Sequence, residues 1–278
     1  TRPTVTTASA NLSQRFPRRR AFITGAASGL GLACAEWLAR EGWTLFLTDV
    51  DEARLGLVAD SLRGQGATVA AAACDVRDAA AVATLVRQAV EMAGGIDVAV
   101  HAAGVATTGP FVGGSLEDWR WVFDINVHGI VHSCMAVAAA MQAQRSGGLI
   151  INVASAASFM TGARMASYNA AKAAVVALSE TLMQELAPDR IQVVAAMPGF
   201  FRTRLLENAR GPERNLVGAR RIMEELGLSA ETVADALLVA AARGRTHFVY
   251  PSRYALFWRL KRLLPGYFQK LVPRLLRR

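Results

Sequence analysis

The stretch AFITGAASGLG, residues 21 to 31, decides how the rest of this chain is interpreted. It places a short apolar strand, AFIT, directly before a glycine-rich turn that leads into an amphipathic helix. Glycines at positions 25, 29 and 31 permit a tight turn, a close approach of backbone N–H groups to a phosphate, and close packing of the helix. Taken alone, such a turn is also compatible with a purely structural role.

The alternation of apolar runs and helical stretches continues to about residue 250. Seven runs have strand character, near 21–24, 44–48, 68–73, 97–101, 148–153, 191–196 and 246–250. Six segments between them have helical spacing of apolar residues or high alanine content, at 29–41, 52–64, 78–93, 116–143, 167–187 and 230–243. This rhythm predicts a single-domain, Rossmann-like α/β fold: a doubly wound parallel sheet of about seven strands with helices on both faces. Ligands of such sheets bind at the carboxyl ends of the strands.

Composition favours one domain with basic ends. The chain has 278 residues, 53% of them apolar, and a net charge of +9. Residues 1–20 contain five arginines and residues 253–278 contain eight basic residues, with no acid in either segment. The remaining residues, 21–252, contain 18 basic and 22 acidic residues, which gives them a net charge of −4. We therefore predict a basic, flexible leader over 1–20, a catalytic domain over 21–252 with a substrate flap at about 200–228, and a basic C-terminal extension over 253–278, and we do not expect nucleic acid as a partner.

The C-terminal extension and the cysteines indicate where in the cell the protein is found. The extension mixes aromatic and leucine residues with arginines and lysines, so its apolar side either docks on the body or a neighbouring subunit, or makes peripheral contact with a membrane surface. Cys34, Cys74 and Cys134 lie far apart, without metal-ligand spacing, and are expected to be buried thiols. We expect a cytoplasmic protein, with membrane association at the surface left open, and no metal site.

Two aspartates follow the second and third strands. Asp49 comes about 20 residues after the glycine turn, where a carboxylate accepts hydrogen bonds from ribose hydroxyls and repels a 2′-phosphate. This predicts NAD in preference to NADP, and Ser28 adds no positive charge to the turn, but Arg54 keeps NADP open. Asp75 would lie at the same edge, near an adenine amino group. For both aspartates the alternative is a helix cap.

A tyrosine and a lysine supply the candidate chemistry. The chain has only three lysines, and Lys172 is the only one before residue 261. It lies four residues after Tyr168 in YNAAK, so both side chains are on one face of a predicted helix. A nearby ammonium favours phenolate and lowers the pKa of a phenol, which would make Tyr168 a usable acid–base group.

Two further polar residues belong to this constellation. Ser155 follows the fifth strand, where its hydroxyl could hold a substrate oxygen in line with the hydride donor. Asn126 lies inside a predicted helix, where its amide could bend the helix or hold water for a proton relay. Each residue also has an ordinary structural interpretation, and the combination carries the functional one.

From about residue 21 to 250 the chain resembles the short-chain dehydrogenase/reductase family. The matching motifs are TGAASGLG, Asp49, CDV (74–76), HAAG (101–104), INVHG (125–129), Ser155, YNAAK and PGF (198–200). The resemblance implies that Tyr168 is the acid–base residue, that Lys172 lowers its pKa and binds the nicotinamide ribose, that Ser155 positions the reacting oxygen and that Asn126 supports a water chain. It implies a dinucleotide site formed by Gly25, Ser28, Gly29, Leu30, Gly31, Asp49, Asp75, Val76, Ala102, Ala103, Gly104, Tyr168, Lys172, Pro198, Gly199 and Thr203.

The expected activity is an NAD(H)-dependent interconversion of a secondary alcohol and a ketone. The apolar residues near the flap favour a hydrophobic substrate; they are Phe159, Met160, Met165, Phe200, Phe201, Leu205 and Leu206. The resemblance implies a homodimer or homotetramer. Reduction of an imine or enoyl group, and a catalytically silent nucleotide-binding protein, are the alternatives. One departure is His101, where the family usually has asparagine; we expect it to replace a structural hydrogen bond across the strands.

Overall fold

The computed structural model describes residues 11–213, 215–218, 221 and 228–275. Seven parallel strands form one sheet in the order β3-β2-β1-β4-β5-β6-β7. The strands are β1 Arg20–Thr24, β2 Thr44–Asp49, β3 Val69–Ala73, β4 Val98–His101, β5 Gly148–Val153, β6 Ile191–Pro198 and β7 His247–Tyr250. The predicted doubly wound sheet is confirmed, and the strand order reverses between β1 and β4.

Helices cover both faces of the sheet. The described helices are α1 Leu12–Arg15, α2 Gly29–Arg40, α3 Glu52–Gly64, α4 Ala79–Ala93, α5 Leu116–Phe123, α6 Gly129–Gln144, α7 Ala157–Met160, α8 Ala166–Glu185, α9 Ala230–Ala242, α10 Ser252–Leu263 and α11 Pro265–Leu275. Successive strand residues point to opposite faces: Ile23 packs in a cluster with α2 and α9, and Phe22 packs in a cluster with α4, α6 and α8. The sheet is therefore buried on both sides, as near-continuous apolar strands require.

The helix predicted over 116–143 is divided. A π-helical turn, Asp124–His128, separates α5 from α6. The side chain of Asn126 lies in that turn and is fully buried, where it hydrogen-bonds both backbone groups of Val105. A π-turn places one extra residue in the helix, and such turns are common at functional sites. Pairing of Asn126 with the backbone of the neighbouring loop gives a physical reason for the interruption.

The N-terminal boundary lies earlier than the sequence predicts. Residues 1–10 of the predicted leader are outside the described residues, but residues 11–20 are packed. Leu12 and Phe16 are buried against the face that carries α2 and α9, and Trp43 Nε1 donates to Ser13 Oγ at 3.0 Å. Burial of two apolar side chains one helical turn apart explains why this short segment is ordered.

A buried ion pair closes the amino end of the sheet. Arg20, at the start of β1, donates to Asp97 from Nε at 3.0 Å and from Nη2 at 2.7 Å. The two side chains are only 5% and 6% exposed. Such a bidentate pair compensates both charges in a region from which water is excluded.

The C-terminal extension forms α10 and α11, which dock on the body. Tyr254, Phe268 and Val272 are buried in the cluster that contains α4, α6 and α8. Arg262 and His247 both hold the carboxylate of Glu180 on α8, at 3.2 and 2.9 Å. The inward side of this segment therefore docks on the body, which is one of the two predicted roles; the other is contact with a membrane surface.

The structure describes only part of the predicted flap at 200–228. The predicted flap contains a 3₁₀ turn, Arg204–Leu206, and its positions 214, 219–220 and 222–227 lie outside the described residues.

Within the described ranges, one helical stretch, Leu116–Gln144, is long and apolar enough to cross a membrane by length and composition. Its inward side packs under the sheet, with Ile130, Val137 and Met141 buried, as in a core helix.

Candidate active site

A cavity of about 480 Å³ opens at the carboxyl ends of the strands. Sixteen of the predicted site residues line it: Gly25, Ser28, Gly29, Leu30, Asp49, Asp75, Val76, Ala102, Ala103, Gly104, Ser155, Tyr168, Lys172, Pro198, Gly199 and Thr203. Gly31 and Asn126 do not line it and lie behind its wall. Residues from six loops thus meet at the point where the strand order reverses, as expected for this sheet.

The glycine turn is shaped by close backbone contacts. Gly25 has φ 68°, and a Cβ there would lie 2.5 Å from the backbone nitrogen of Ala103. A Cβ on Gly31 would overlap the carbonyl oxygen of Gly25. Gly29 has φ 56° and faces Thr203 Oγ1. The first turn of α2 therefore opens into the cavity, with Ser28 as an N-cap whose side chain makes no cap hydrogen bond. Its backbone N–H groups and helix dipole suit an anionic group such as a pyrophosphate.

Asp49 joins the glycine turn to the second strand. Its Oδ2 accepts from the backbone nitrogen of Ala27 and its Oδ1 from that of Asp51, both at 3.0 Å. The helix-cap alternative for Asp49 is wrong, because Asp51 caps α3 by accepting from the backbone nitrogen of Arg54. Asp49 also lines the cavity.

Asp75 is held by a neighbour. It accepts from the backbone nitrogen of Arg77 at 3.0 Å and from the guanidinium of the same residue. The hydrogen bond from Arg77 lowers the pKa of Asp75. The cap alternative is wrong here too, since Asp78 caps α4 through Ala80 and Ala81. A contact between Asp75 and an adenine ring remains a prediction. The Asp75 carboxylate already accepts hydrogen bonds from Arg77.

Tyr168, Lys172 and Ser155 line the same cavity. Tyr168 and Lys172 lie on α8, 6% and 4% exposed, and Lys172 Nζ is 5.8 Å from the centre of the phenol ring. Nζ donates to the carbonyl oxygen of Val153, the last residue of β5, at 2.9 Å. Ser155 Oγ accepts from the backbone nitrogen of Ala157 at 3.1 Å, and its hydroxyl is near enough to the phenol of Tyr168 to affect the pKa of that group. The three side chains are thus fixed by the end of one strand and one face of one helix.

Burial sets the proton affinities of this group. It raises the pKa of Tyr168 to about 12, and the nearby hydroxyl of Ser155 acts in the opposite direction. It lowers the pKa of Lys172 to about 8. The predicted lowering of the Tyr168 pKa is therefore wrong for the protein's own groups, because removal of the phenol from water outweighs the stabilisation of phenolate. With a pKa of about 12, Tyr168 is protonated at pH 7, and the pKa of Lys172 is the nearer of the two to physiological pH.

Asn126 supports the loop after β4. Its Oδ1 accepts from the Val105 backbone nitrogen at 2.8 Å, and its Nδ2 donates to the Val105 oxygen at 2.9 Å. A Cβ on Gly104 would lie 3.0 Å from Asn126 Oδ1 and 3.5 Å from Lys172 Nζ. Gly104 is therefore the point at which Asn126 and Lys172 approach each other, while a role for Asn126 in a water chain stays a prediction.

His101 makes the expected link between strands. It is fully buried at the end of β4, and its Nδ1 donates to Asn152 Oδ1 on β5 at 2.8 Å, an assignment that follows from Asn152 Nδ2 donating to Ser179 Oγ. Burial lowers the pKa of His101 to about 4, and its Nε2 has no hydrogen-bond partner among the described residues. A neutral imidazole fills the position.

Part of the cavity wall is apolar. Its wall includes Met160, Met165, Phe200, Phe201, Leu205 and Leu206 of the predicted set, together with Trp121. Phe159 does not line the cavity, because its ring is buried in the core cluster with Val175. An apolar wall next to a few polar groups is typical of a site for a hydrophobic small molecule.

Two contributors were not identified from the sequence. The carbonyl of Val153 orients Lys172, and a backbone acceptor has no residue signature; its position two residues before Ser155 was the available signal. Tyr254 on α10 packs against Gly199, where any Cβ would overlap the ring. The predicted boundary at residue 252 separated Tyr254 from the site that it supports.

The sequence profile of the short chain dehydrogenase family matches residues 19–214, more than half of the chain. Oxidoreductase UcpA of Escherichia coli is 35% identical over 190 residues, which cover 68% of this chain and 72% of that protein. An uncharacterized oxidoreductase of Staphylococcus saprophyticus is 36% identical over 186 residues, 66% of this chain and 79% of its relative.

Solved structures agree in fold. A short chain dehydrogenase/reductase from Burkholderia phymatum, in complex with NAD, has a TM-score of 0.81 at 33% identity, covering 88% of this chain and 92% of that one. Levodione reductase has a TM-score of 0.77 at 27% identity, covering 86% of this chain and 98% of that one.

Proposed function

We propose that this chain, which belongs to the short-chain dehydrogenase/reductase family, is an NAD(H)-dependent oxidoreductase that interconverts a hydrophobic secondary alcohol and its ketone. The observation that carries the proposal is that Tyr168, Lys172 and Ser155 line one cavity whose wall also contains large apolar side chains. A protein that only binds a nucleotide has no need of a buried ammonium beside a buried phenol. Burial of an ammonium without a carboxylate partner costs stability, and groups of this kind cluster at functional sites.

The glycine turn and Asp49 would hold the dinucleotide, which accepts or supplies the hydride when bound. The close contacts of Gly25 and Gly31 leave the N-terminus of α2 free for the pyrophosphate. The carboxylate of Asp49 favours NAD, because it accepts from ribose hydroxyls and repels a 2′-phosphate. The NAD complex of the Burkholderia relative supports this choice.

Tyr168 would move the proton. In the direction of reduction, the neutral phenol donates its proton to the carbonyl oxygen while the carbonyl carbon accepts the hydride; in oxidation both steps reverse. Ser155 Oγ would hold the reacting oxygen, since it lines the same cavity as the phenol. Charged Lys172 would stabilise the phenolate that remains after proton donation, and it is oriented by the Val153 carbonyl.

The apolar wall formed by Met160, Met165 and Phe200 favours a hydrophobic substrate. Three free, buried cysteines fit a reducing compartment, so we place the protein in the cytoplasm. Membership of the family supports a homodimer or homotetramer.

The direct test is a panel of hydrophobic ketones and secondary alcohols assayed with NAD(H) and NADP(H), for the wild type and for Tyr168→Phe. We expect ketone reduction with NADH, and a loss of about 10²–10⁴-fold in kcat for Tyr168→Phe. Binding of NADH, followed by its fluorescence, should be retained in that variant.

Near-normal turnover of Tyr168→Phe would overturn the assignment of the acid–base residue. A strong preference for NADPH would overturn the role of Asp49. Binding without turnover of any substrate would favour a silent nucleotide-binding protein, and turnover restricted to imine or enoyl substrates would assign a different reaction.

A further inference from the structure

The outward side of the two C-terminal helices is apolar and basic. Four large apolar side chains are exposed there: Leu256 is 65% exposed, Leu263 78%, Leu264 54% and Tyr267 60%. Three basic residues on the same helices are exposed as well; they are Arg253, Arg259 and Lys270. These seven residues make up what we call the C-terminal face.

This exposure is not explained by the docking of α10 and α11. The inward side of the helices already has its own apolar residues, Tyr254, Phe268 and Val272, which are buried in the body. The ion pair between Arg262 and Glu180 fixes α10 against the catalytic helix α8. The helices are thus held in place, and a second set of apolar side chains points to solvent.

The shape of the C-terminal face favours a lipid surface over a protein. Residues 263–267, at the corner between α10 and α11, are exposed one after another. A projecting apolar corner can enter the boundary between headgroups and acyl chains, whereas a protein partner would need a matching pocket.

Charge points to the same occupant. Residues 253–278 contain eight basic residues and no acid, and residues 21–252 carry a net charge of −4. An anionic membrane attracts the extension and repels the net negative charge of residues 21–252, so of these two parts the C-terminal face would meet it. We infer that the C-terminal face binds the surface of an anionic lipid membrane.

The face is connected to the cavity wall. Gln269 on α11 donates to Thr161 Oγ1 at 3.4 Å, and the next residue, Gly162, lines the cavity. Tyr254 on α10 packs against Gly199, which also lines the cavity. A membrane bound at the C-terminal face would therefore contact the same helices that support the cavity wall.

The first test is sedimentation of the full chain with vesicles of phosphatidylcholine alone or mixed equally with phosphatidylglycerol. We expect binding to the mixed vesicles, weakened by 1 M salt, and little binding to the zwitterionic ones. Arg259→Glu should weaken binding by about fivefold or more, and Leu263→Asp with Leu264→Asp by more than about tenfold. The matched controls are Arg87→Glu and Leu57→Asp, exposed residues of α4 and α3, which should bind like the wild type.

The second test reports insertion. Because all three native cysteines are buried, Leu264→Cys can be labelled selectively with an environment-sensitive dye. Its emission should shift to the blue on addition of mixed vesicles, while the same dye on Leu57→Cys should not respond. Neither readout depends on turnover, so a failure here is distinguishable from a failure of the proposed reaction.

The inference is overturned if the folded wild type does not sediment with mixed vesicles, or if it binds both vesicle types equally. It is also overturned if the Leu263→Asp, Leu264→Asp variant changes the oligomeric state in analytical ultracentrifugation. That result would assign the face to a second copy of the chain.

Discussion

A cation is buried at each end of the parallel strands, and the two cations differ in their partners. We call these ends the amino edge and the carboxyl edge of the sheet. At the amino edge, the guanidinium of Arg20 is matched by the carboxylate of Asp97, which it contacts at 2.7 and 3.0 Å. At the carboxyl edge, Lys172 is equally buried, but its ammonium hydrogen-bonds only a backbone carbonyl, and among the described residues it forms no ion pair with a carboxylate. A compensated buried charge holds the sheet together; an uncompensated one indicates a group kept for chemistry.

The largest effect should come from removal of the uncompensated cation. Lys172→Met should lower kcat for ketone reduction by about a thousandfold, because the phenolate of Tyr168 loses the charge that stabilises it. Its free energy of unfolding at pH 7 should stay within about 1 kcal/mol of the wild type, since the buried charge is lost with its desolvation penalty. Assay and denaturant titration of one preparation measure both quantities, with Lys261→Met as the control.

Arg20→Met should give the opposite pattern. It leaves the Asp97 carboxylate buried without its partner and should lower the free energy of unfolding by about 3–5 kcal/mol. The kcat of the fraction that remains folded should be unchanged, because Arg20 is at the other edge of the sheet. A similar stability of Arg20→Met and Arg87→Met, an exposed control, would remove the distinction between the two edges.

A smaller effect is expected for His101, a titratable group buried without charge at the carboxyl edge. Its pKa falls from 6.5 to about 4 on burial, so the unfolded chain binds the proton more readily. Stability should therefore fall as the pH drops from 6.5 toward 4, by up to about 1.4 kcal/mol per pH unit from this group. His101→Asn should remove that part of the dependence in urea titrations at several pH values. An unchanged pH dependence would show that His101 is not neutral in the folded protein.

The sequence predicted the sheet and most of the residues around the cavity. All seven strands were located, because short apolar runs with turn residues on both sides carry a strong signal. The glycine turn, Asp49 and the Tyr168–Lys172 pair were found for a similar reason: each depends on residue type at a fixed spacing.

What depends on three-dimensional contacts was not predicted. Nothing in the residues near Asn126 indicates a π-turn, because the backbone of Val105 that it binds lies 21 positions earlier. With only two large apolar residues, Leu12 and Phe16, the pattern of residues 11–20 did not distinguish a packed helix from a polar leader. The direction of the Tyr168 pKa was wrong because a sequence shows the neighbouring charge but not the depth of burial.

The most direct measurement is the titration of Lys172 itself by NMR. The chain has three lysines, so side-chain labelling gives three signals, which Lys261→Arg and Lys270→Arg assign. Lys172 should titrate at about 8, well below its ordinary value of 10.5, and the positive slope of stability against pH between those values should be reduced in Lys172→Met. A Lys172 signal that titrates near 10.5 would show a solvated or paired ammonium, and would contradict the account of an uncompensated cation beside Tyr168.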